Sequence, residues 1–214
     1  EVFAKEIVDY FINEYLLGRT PNPCVQCNHY LKFGELLNWA KSIGADYLAT
    51  GHYANLAKVG ERYLLQKSHS IHKDQTYPLY HLTQRQLSKI IFPLAKYDKT
   101  EVRKLASQFK LEVADKAESQ DICFITDQNY VKFIEEQSRI KIKAGNFVDK
   151  FGKILGRHRG IYHYTIGQRK GLGIATGKPV FVISIDVAKN EVVLGDEEDI
   201  LAKELFVSKL NFIP

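Results

Sequence analysis

The stretch GRTPNPCVQCN, residues 18–28, holds two of the three cysteines of this chain and two of its six prolines. Each proline fixes its own φ and biases the residue before it away from the helical region. Residues 20–24 are therefore predicted to form a stiff extended arm, which is well suited to present a thiol. The third cysteine, Cys123, lies in the segment SQDICFI (119–125), and the central question is whether the fold brings it to Cys27.

Length and composition are those of an ordinary soluble globular protein. The 214 residues suffice for a sizeable core in one or two domains, with 45% hydrophobic and 26% charged residues. No apolar run reaches the ~20 residues of a membrane span, and no signal-peptide pattern opens the chain. The sequence has no methionine and opens within an amphipathic helix. We therefore expect a soluble protein that is cytoplasmic, with an organelle matrix as the alternative, and a segment of a longer chain.

Periodicity around the cysteine stretch predicts an α/β domain. Apolar residues at helical spacing predict helices over residues 1–17 and 30–42. Residues 46–50 (DYLAT) are predicted to form a short buried strand, followed at once by Gly51 and His52. A helix, a turn, an apolar strand and a glycine at its carboxyl end are typical of a parallel sheet, which binds ligands at that edge.

The rest of the chain is predicted as short elements joined by polar turns. In the first part they are a hairpin over residues 53–59 and 62–66, a helix from the capping box DKTE (98–101) to residue 109, strands over 111–114 and 121–125, and a helix capped by Asp127. Glycines become frequent from residue 143, and a second, β-rich domain is predicted to begin near Ile140. Its predicted elements are strands over residues 161–165, 180–186, 191–194 and 205–210, with a turn at 186–190.

Positive charge is concentrated in one region of a chain whose net charge is +5. Residues 139–178, the basic window, contain ten Lys or Arg and a single acid, Asp149. Such a stripe indicates a polyanionic partner, nucleic acid first of all, while a solvated surface explains the charge equally well. Arg169 and Lys170 lie between glycines in GQRKGLG (167–173), which lets a phosphate backbone approach closely.

Cys24 and Cys27 have the Cys-x-x-Cys spacing that serves disulfide exchange, half a zinc site or part of an iron–sulfur site. A zinc site would need further ligands, for which Cys123 and a histidine such as His29 or His52 are available. Inert buried thiols are a fourth possibility. The residues alone leave these alternatives open.

Five motifs taken together resemble one family. TPNPCVQCN (20–28), ATGHY (49–53), KDQ (73–75), DICF (121–124) and YTIGQRKGLG (164–173) occur in the order and approximate spacing found in the tRNA-specific 2-thiouridylases. The resemblance covers nearly the whole chain. It implies an α/β fold with a partial parallel-sheet nucleotide-binding domain, similar to adenine nucleotide alpha-hydrolases, followed by a smaller β-rich domain.

The resemblance also implies how the chain is divided. Residues 1–139 correspond to the C-terminal part of an ATP-pyrophosphatase-like catalytic domain, 140–206 to a β-rich central domain that contacts tRNA, and 207–214 to the start of a C-terminal β domain. The family's N-terminal pyrophosphate-binding loop and its C-terminal β-barrel are expected to lie outside this segment. The segment alone is therefore expected to be inactive.

The activity implied is ATP-dependent 2-thiolation of the wobble uridine of tRNA. In this family the uridine is activated by adenylation with ATP and Mg²⁺, and a cysteine persulfide, charged by a sulfur-donor protein, supplies the sulfur. An iron–sulfur cluster on Cys24, Cys27 and Cys123 is a competing mechanism. A non-catalytic RNA-binding module stabilised by zinc or an iron–sulfur cluster is the alternative function.

The resemblance assigns roles residue by residue. Cys123 resembles the persulfide-bearing cysteine, and Cys27 resembles its partner, which releases the sulfur and ends in a disulfide with it. The other implied site residues are Asn22, Pro23 and Cys24 at the target base, Gly51 at ATP, and His52, Lys73, Asp74 and Gln75 at tRNA. The basic window adds Arg169 and Lys170 as tRNA contacts. Some members have aspartate in place of Cys24, so an acid–base role there is not implied.

Overall fold

The structure is a computed structural model that describes residues 1–112, 114, 122–138, 143–208 and 210–212. The chain forms two compact units. The first comprises Glu1–Glu6, Cys24–Gln120 and Ser208–Pro214, and the second comprises Ile7–Pro23 and Asp121–Val207. The domain boundaries expected at residues 139 and 206 stay predictions. Over the described ranges, no helix is long and apolar enough to cross a membrane.

The cysteine stretch opens a long helix. It comprises α2 (Pro23–Gln26), a π-helical segment (Cys27–Leu36) and α3 (Leu37–Ser42), and is called here the cysteine helix (23–42). The predicted extended arm over 20–24 is therefore wrong for its last two residues. Pro23 takes the first helical position, which favours proline because the N–H that proline lacks has no intrahelical partner there. The arm is reduced to the few residues before Pro23.

A parallel strand pair follows the cysteine helix. Strand β1 (Leu48–Ala49) pairs with β4 (Ile90–Ile91), and the Thr50 N–H donates to the Ile91 carbonyl at 3.1 Å. The predicted parallel arrangement is confirmed, but the buried strand over 46–50 is wrong in length and burial, since Leu48 is only half-buried and Ala49 is exposed. In the part of the chain that the structure describes, β1 pairs with a single neighbour, which leaves it at an edge.

An antiparallel hairpin forms as predicted after β1. Strands β2 (Ala54–Val59) and β3 (Arg62–Lys67) pair in register from Ala54 with Lys67 to Val59 with Arg62. Gly60 has a φ of 58°, which suits a tight turn. One face of the hairpin packs on the core of the first unit, whose buried members are Phe33, Ala54, Leu79, Leu82, Leu87, Ile90 and Phe92.

Two capping boxes start helices α4 (Gln84–Leu87) and α5 (Lys99–Gln108). At α5 the side chains and backbone N–H groups of Asp98 and Glu101 bond reciprocally at 2.8 Å, which confirms the predicted capping box. The predicted strand over 111–114 is absent from its described residues. The Leu111 N–H instead bonds back to the Ala106 carbonyl at 2.9 Å, so this backbone closes the end of α5.

The second unit contains α1 (Tyr10–Leu16), which continues a π-helical segment (Phe3–Asp9), and α6 (Tyr130–Ser138). Asn129 caps α6, since its Oδ1 accepts the Lys132 N–H at 3.0 Å. The prediction that Asp127 is the cap is wrong, because Asp127 lies further from the helix and accepts the Asn129 N–H at 3.1 Å.

A four-stranded sheet dominates the second unit. Its order is β6-β5-β8-β7, from β5 (Gly145–Asp149), β6 (Ile154–His158), β7 (Phe181–Asp186) and β8 (Glu191–Gly195). Strands β7 and β8 and the turn between them match the prediction, whereas β5 and β6 were not predicted. A Cβ at Gly145 would lie 2.0 Å from the Asn190 carbonyl oxygen, so glycine is what lets this backbone approach.

Three predicted strands of the second unit are wrong. The described residues of 121–125 form a turn, in which the Ile125 N–H donates to the Ile122 carbonyl. The apolar run over 161–165 begins with a 3-10 turn (Ile161–His163). Its buried side chains enter the core from this turn rather than from a strand. The described residues in 205–210 form no strand, and their side chains are exposed rather than packed on a sheet. The core members of this sheet are Phe147, Ile161, Tyr164, Leu172, Val182, Val192 and Leu194.

Candidate active site

The cysteine helix presents one exposed and one half-buried thiol. Cys24 is exposed and Cys27 is half-buried, and neither is part of a disulfide. An adjacent face of the helix is anchored, because Val25 and Asn28 are buried and the Asn28 Nδ2 donates to the Pro78 carbonyl at 3.3 Å. The alternative of inert buried thiols is therefore wrong for Cys24.

His52 is buried at the carboxyl end of β1, with 8% of its surface exposed. Its Nε2 lies 3.4 Å from the Lys32 Nζ, and its Nδ1 lies 2.8 Å from the Thr50 Oγ1. Burial, and then the charge of Lys32, lower the pKa of His52 to about 4, so the ring is neutral at neutral pH. An ammonium group only donates, so Nε2 must be the acceptor and Nδ1–H donates to Thr50.

The KDQ motif contacts the ATGHY motif directly. The Tyr53 N–H donates to the Gln75 Oε1 at 3.0 Å, and the Gln75 N–H donates to the Tyr53 carbonyl at 2.8 Å. Asp74 stabilises the loop around it. Its carboxylate accepts the Ser68 N–H at 3.0 Å and the Thr76 N–H at 3.2 Å. Gln75 and Asp74 are thus half-buried parts of the scaffold, whereas Lys73 is exposed.

Burial alone would raise the pKa of Asp74, but the hydrogen bonds from Thr76 and Ser68 together outweigh it and lower that pKa below its ordinary value. The carboxylate is therefore ionised at neutral pH. As an anion it cannot donate a hydrogen bond, and its oxygens are occupied by the N–H groups of its own loop. Asp74 is built to shape the loop that carries Lys73.

Cys123 is exposed in the second unit, on a turn whose neighbours are anchored. Ile125 is buried, and the Phe124 ring packs edge-on against Phe11 of α1 at a centroid distance of 5.5 Å. The turn closes through the Ile125 N–H and the Ile122 carbonyl at 2.9 Å. Hydrophobic anchors on both sides of Cys123 therefore hold the backbone while its thiol faces solvent. Asp121, the first residue of this motif, lies outside the described residues.

The YTIGQRKGLG motif forms a loop fastened to β7. The Gly167 N–H donates to the Val182 carbonyl at 2.8 Å, and the Val182 N–H donates to the Gln168 carbonyl at 3.0 Å. Gly167 and Gly171 have φ values of 86° and 77°, which other residues adopt at a cost. Arg169 and Lys170 are exposed at the tip of this fastened loop.

The same loop meets the start of the cysteine motif within the second unit. The hydroxyl of Thr20 lies 3.1 Å from that of Thr165. Asn22, between Thr20 and the cysteine helix, is exposed, and Pro23 is buried. Of the residues expected at the target base, Asn22 and Cys24 are therefore accessible, and Pro23 packs against the fold.

Part of the basic window is neutralised by acids that follow it in the sequence. Lys150 pairs with Asp199 at 2.9 Å, and Lys178 pairs with Asp196 at 2.6 Å. These pairs form only in the folded chain, so counting charge along the sequence overstated the positive field. Arg169 and Lys170 have no such acidic partner among the described residues. They keep the charge that a polyanion would meet.

Sequence reasoning missed Lys32. It lies on the cysteine helix in an ordinary helical position, and no spacing rule connects it with His52, which is 20 residues away. Only the tertiary structure puts its ammonium group at the carboxyl end of β1. The cysteine helix, ATGHY and KDQ thus meet in the first unit, while DICF and YTIGQRKGLG belong to the second.

No metal centre is evident in the described part of the chain. No three His, Cys, Asp or Glu side chains there are grouped so that they could hold an ion. Neither the zinc site nor the iron–sulfur cluster considered from the sequence has support. Cys27 and Cys123 lie in different units, and their predicted approach stays a prediction.

Comparison with protein families identifies the architecture first. Residues 1–127 match the family described as tRNA methyl transferase HUP domain, and residues 132–196 match the tRNA methyl transferase PRC-barrel domain. The chain is therefore a nucleotide-binding α/β domain of the HUP class followed by a small barrel-like domain. This confirms the fold class predicted from the sequence.

The particular family follows from the similar full-length proteins. The chain is 52% identical over 214 residues to the tRNA-specific 2-thiouridylase MnmA of Clostridium beijerinckii, and 54% identical over 215 aligned positions to that of Acetivibrio thermocellus. In both comparisons all of this chain is covered, and it spans 60% of the relative. The chain belongs to the tRNA-specific 2-thiouridylase family, as its five motifs indicated.

Proposed function

We propose that the full-length protein is a tRNA-uridine 2-sulfurtransferase that uses ATP to thiolate the wobble uridine. One observation carries the proposal: the cysteine helix, the strand end at Gly51 and the KDQ loop meet in one unit, through Lys32 with His52 and Tyr53 with Gln75. The names of the relatives support the same reaction. The family descriptions speak of methyl transfer, whereas the similar proteins are named for thiolation of tRNA.

Activation of the base would take place at the strand end. Bound ATP supplies an adenylyl group that turns the C2 oxygen of uridine into part of an AMP leaving group, with release of pyrophosphate. Gly51 is exposed directly after β1, where parallel sheets bind ligands, so its backbone is accessible to the nucleotide. Asn22 and Cys24 are exposed next to the start of the cysteine helix and would flank the target base.

Sulfur transfer would use two thiols. A sulfur-donor protein passes its terminal persulfide sulfur to the Cys123 thiolate, and that sulfur then forms a bond to C2 while the C2–O bond to AMP breaks. The Cys27 thiolate attacks the Sγ of Cys123, and the sulfur–sulfur bond of the persulfide breaks. The transferred sulfur keeps the electron pair as the 2-thio group. The two cysteines are oxidised to a disulfide, which an external dithiol must reduce.

The residues proposed for tRNA binding would have two different roles. Lys73, Arg169 and Lys170 are exposed cations and would contact phosphates directly. His52, Asp74 and Gln75 would support those contacts by fixing the loop and strand end, because their polar atoms bond within the fold. This refines the tRNA contacts implied by the resemblance.

Mg²⁺ and metal clusters have a smaller place in the proposal. No three carboxylates of the described ranges are grouped for a cation, so no side chain is assigned to Mg²⁺, which would accompany the phosphates of ATP. The same observation gives no support to an iron–sulfur mechanism or to the alternative of a metal-stabilised RNA-binding module. No step is assigned to a metal.

The test is reconstitution with the full-length protein purified without oxygen. Metal content is measured first, and the protein is then incubated with tRNA, labelled persulfide donor and ATP, with 2-thiouridine detected by mass spectrometry. We expect a metal-free protein that thiolates tRNA only when ATP is present. Activity that follows bound iron across preparations, or thiolation that needs no ATP, would contradict the proposal.

A further inference from the structure

Lys32 is a half-buried lysine that has no acidic partner in the part of the chain that the structure describes. Its Nζ lies 3.4 Å from the neutral Nε2 of His52, and among the described residues no carboxylate pairs with it. Fully buried charges are normally paired, whereas a half-buried lysine can keep its ammonium group open to solvent and available to a ligand. The acceptor that Lys32 does have is neutral, so no described residue compensates its charge.

The surroundings hold this ammonium group in one place. His52 is buried between the rings of Phe33 and Phe92, at centroid distances of 5.7 and 6.0 Å. Its Nδ1–H bonds to Thr50, whose own N–H continues the ladder of the parallel strands. A chain of hydrogen bonds thus leads from the end of β1 to Lys32, and it leaves the remaining ammonium hydrogens directed away from His52.

Gly51 adds a second, independent observation. A Cβ built on this residue would meet only one atom within 4 Å, the Leu94 Cδ1 at 3.8 Å, which is ordinary contact. Its φ lies outside the left-handed region, so its backbone conformation does not require glycine either. The fold of the described chain would accept alanine there. A glycine that the fold does not need, directly before the histidine that contacts Lys32 and at the carboxyl end of a parallel strand, indicates close approach of a ligand.

From these observations we infer that Lys32 and the Gly51 backbone form a phosphate-binding site, in which His52 is the positioning residue for Lys32. The ligand class is a phosphate, carried by the nucleotide or by the RNA backbone. The inference rests on the proposed function for the identity of those ligands. It adds a charged contact and its support to a site for which the sequence indicated only Gly51.

The experiment uses the full-length protein with the variants Lys32→Met, Lys32→Arg and Gly51→Ala. Lys41→Met is the matched control, since it removes the same charge from the same helix. Calorimetry measures the affinity for a non-hydrolysable ATP analogue and for AMP, and filter binding measures the affinity for tRNA without nucleotide. Thermal unfolding of every variant shows whether the fold is retained.

We expect Lys32→Met to weaken nucleotide binding about 10- to 100-fold, as for loss of a charged hydrogen bond, with most of the affinity rescued in Lys32→Arg. Gly51→Ala should weaken it too, and Lys41→Met should not. A comparable loss for tRNA alone would place an RNA phosphate at Lys32. Unchanged affinity for both ligands overturns the inference.

A second measurement distinguishes a positioning role for His52 from a merely structural one. His52→Gln keeps an acceptor for Lys32, whereas His52→Leu removes it. With equal melting temperatures, nucleotide affinity should be lower in the leucine variant, and equal affinity would overturn the positioning role. If the wild-type protein thiolates tRNA and Lys32→Met binds nucleotide and tRNA as tightly as wild type, this inference is refuted and the proposed function stands. Wild-type protein that binds no nucleotide refutes the proposed function.

Discussion

The motif residues of the two units differ in how they are held. In the first unit His52, Asp74 and Gln75 are buried or half-buried and spend their polar atoms on the fold. In the second unit Cys123 and Arg169 are exposed, and their neighbours provide the anchoring. The difference teaches that a motif match does not separate residues that act on a ligand from residues that position others. Cys24 is exposed although it belongs to the first unit. The difference between exposed candidates for ligand contact and buried positioning residues therefore follows the local environment rather than the unit.

The largest effect is expected at the exposed thiol of the second unit. In the full-length protein Cys123→Ser should abolish acceptance of labelled sulfur, since serine keeps the shape but cannot form a persulfide. Cys24→Ser should leave measurable acceptance. The readout is radiolabel on the protein after incubation with a persulfide donor. Equal and complete loss at all three cysteines, together with loss of bound iron, would favour a cluster mechanism instead.

Oxidation tests whether the two units join in one reaction. Cys27 and Cys123 are expected to form the dominant disulfide after mild oxidation, which requires their Cα atoms to come within about 7 Å in some conformation. Peptide mass spectrometry of the oxidised protein identifies the bridge. A dominant bridge between Cys24 and Cys27, with Cys123 always reduced, would contradict the assignment of the reactive pair.

Acid should destabilise the first unit through His52. Its folded pKa of about 4 lies below the ordinary 6.5, so the unfolded chain takes up a proton that the folded chain does not. The resulting stability is complete above pH 6.5 and is lost as the pH falls through the folded pKa, at up to about 1.4 kcal/mol per pH unit. Urea unfolding of wild type and His52→Gln between pH 4.5 and 7.5 measures it. An unchanged pH slope in the variant would show that His52 is not the responsible group.

Asp74 is expected to contribute to the stability of the fold rather than to present its charge to a ligand. Asp74→Ala leaves the Ser68 and Thr76 N–H groups without their acceptor and should lower the free energy of unfolding by about 2 kcal/mol. Because the pKa of Asp74 is lowered in the fold, its contribution is present above the unfolded pKa and is lost as pH falls through the folded one. Denaturant unfolding at several pH values measures the loss of unfolding free energy and its pH dependence. The exposed Lys73→Ala is the control, and an equal loss there would remove the contrast.

The smallest effect is expected at the exposed loop of the second unit. Replacing Arg169 and Lys170 with alanine should weaken binding of all tRNAs about tenfold, and the slope of log affinity against log salt should become shallower by about one to two units. Selectivity for the wobble base should persist, because phosphate contacts position rather than specify. Lys150→Ala is the control, since Lys150 is paired with Asp199. An unchanged salt slope in the double variant would show that this loop does not contact tRNA.

Local rules in the sequence determined much of this protein. Neighbouring residues were enough to predict the capping box at Asp98, the hairpin turn at Gly60 and the strands on both sides of the 186–190 turn. They were enough because caps, turns and alternating strands are made by contacts a few residues apart. The five motifs indicated candidate site residues for the same reason, since each is a short continuous segment, and their roles stay predictions.

Tertiary structure alone decided the environment of those candidate residues. The contact of Lys32 with His52, the neutral state of that imidazole and the pairing of Lys150 with Asp199 join residues distant in sequence. Burial and charge compensation depend on what packs around a group, which no local pattern encodes. For the same reason the apolar run at residues 161–165 became a turn in the core, and the arm expected before Cys24 gave way to a helix that starts at Pro23.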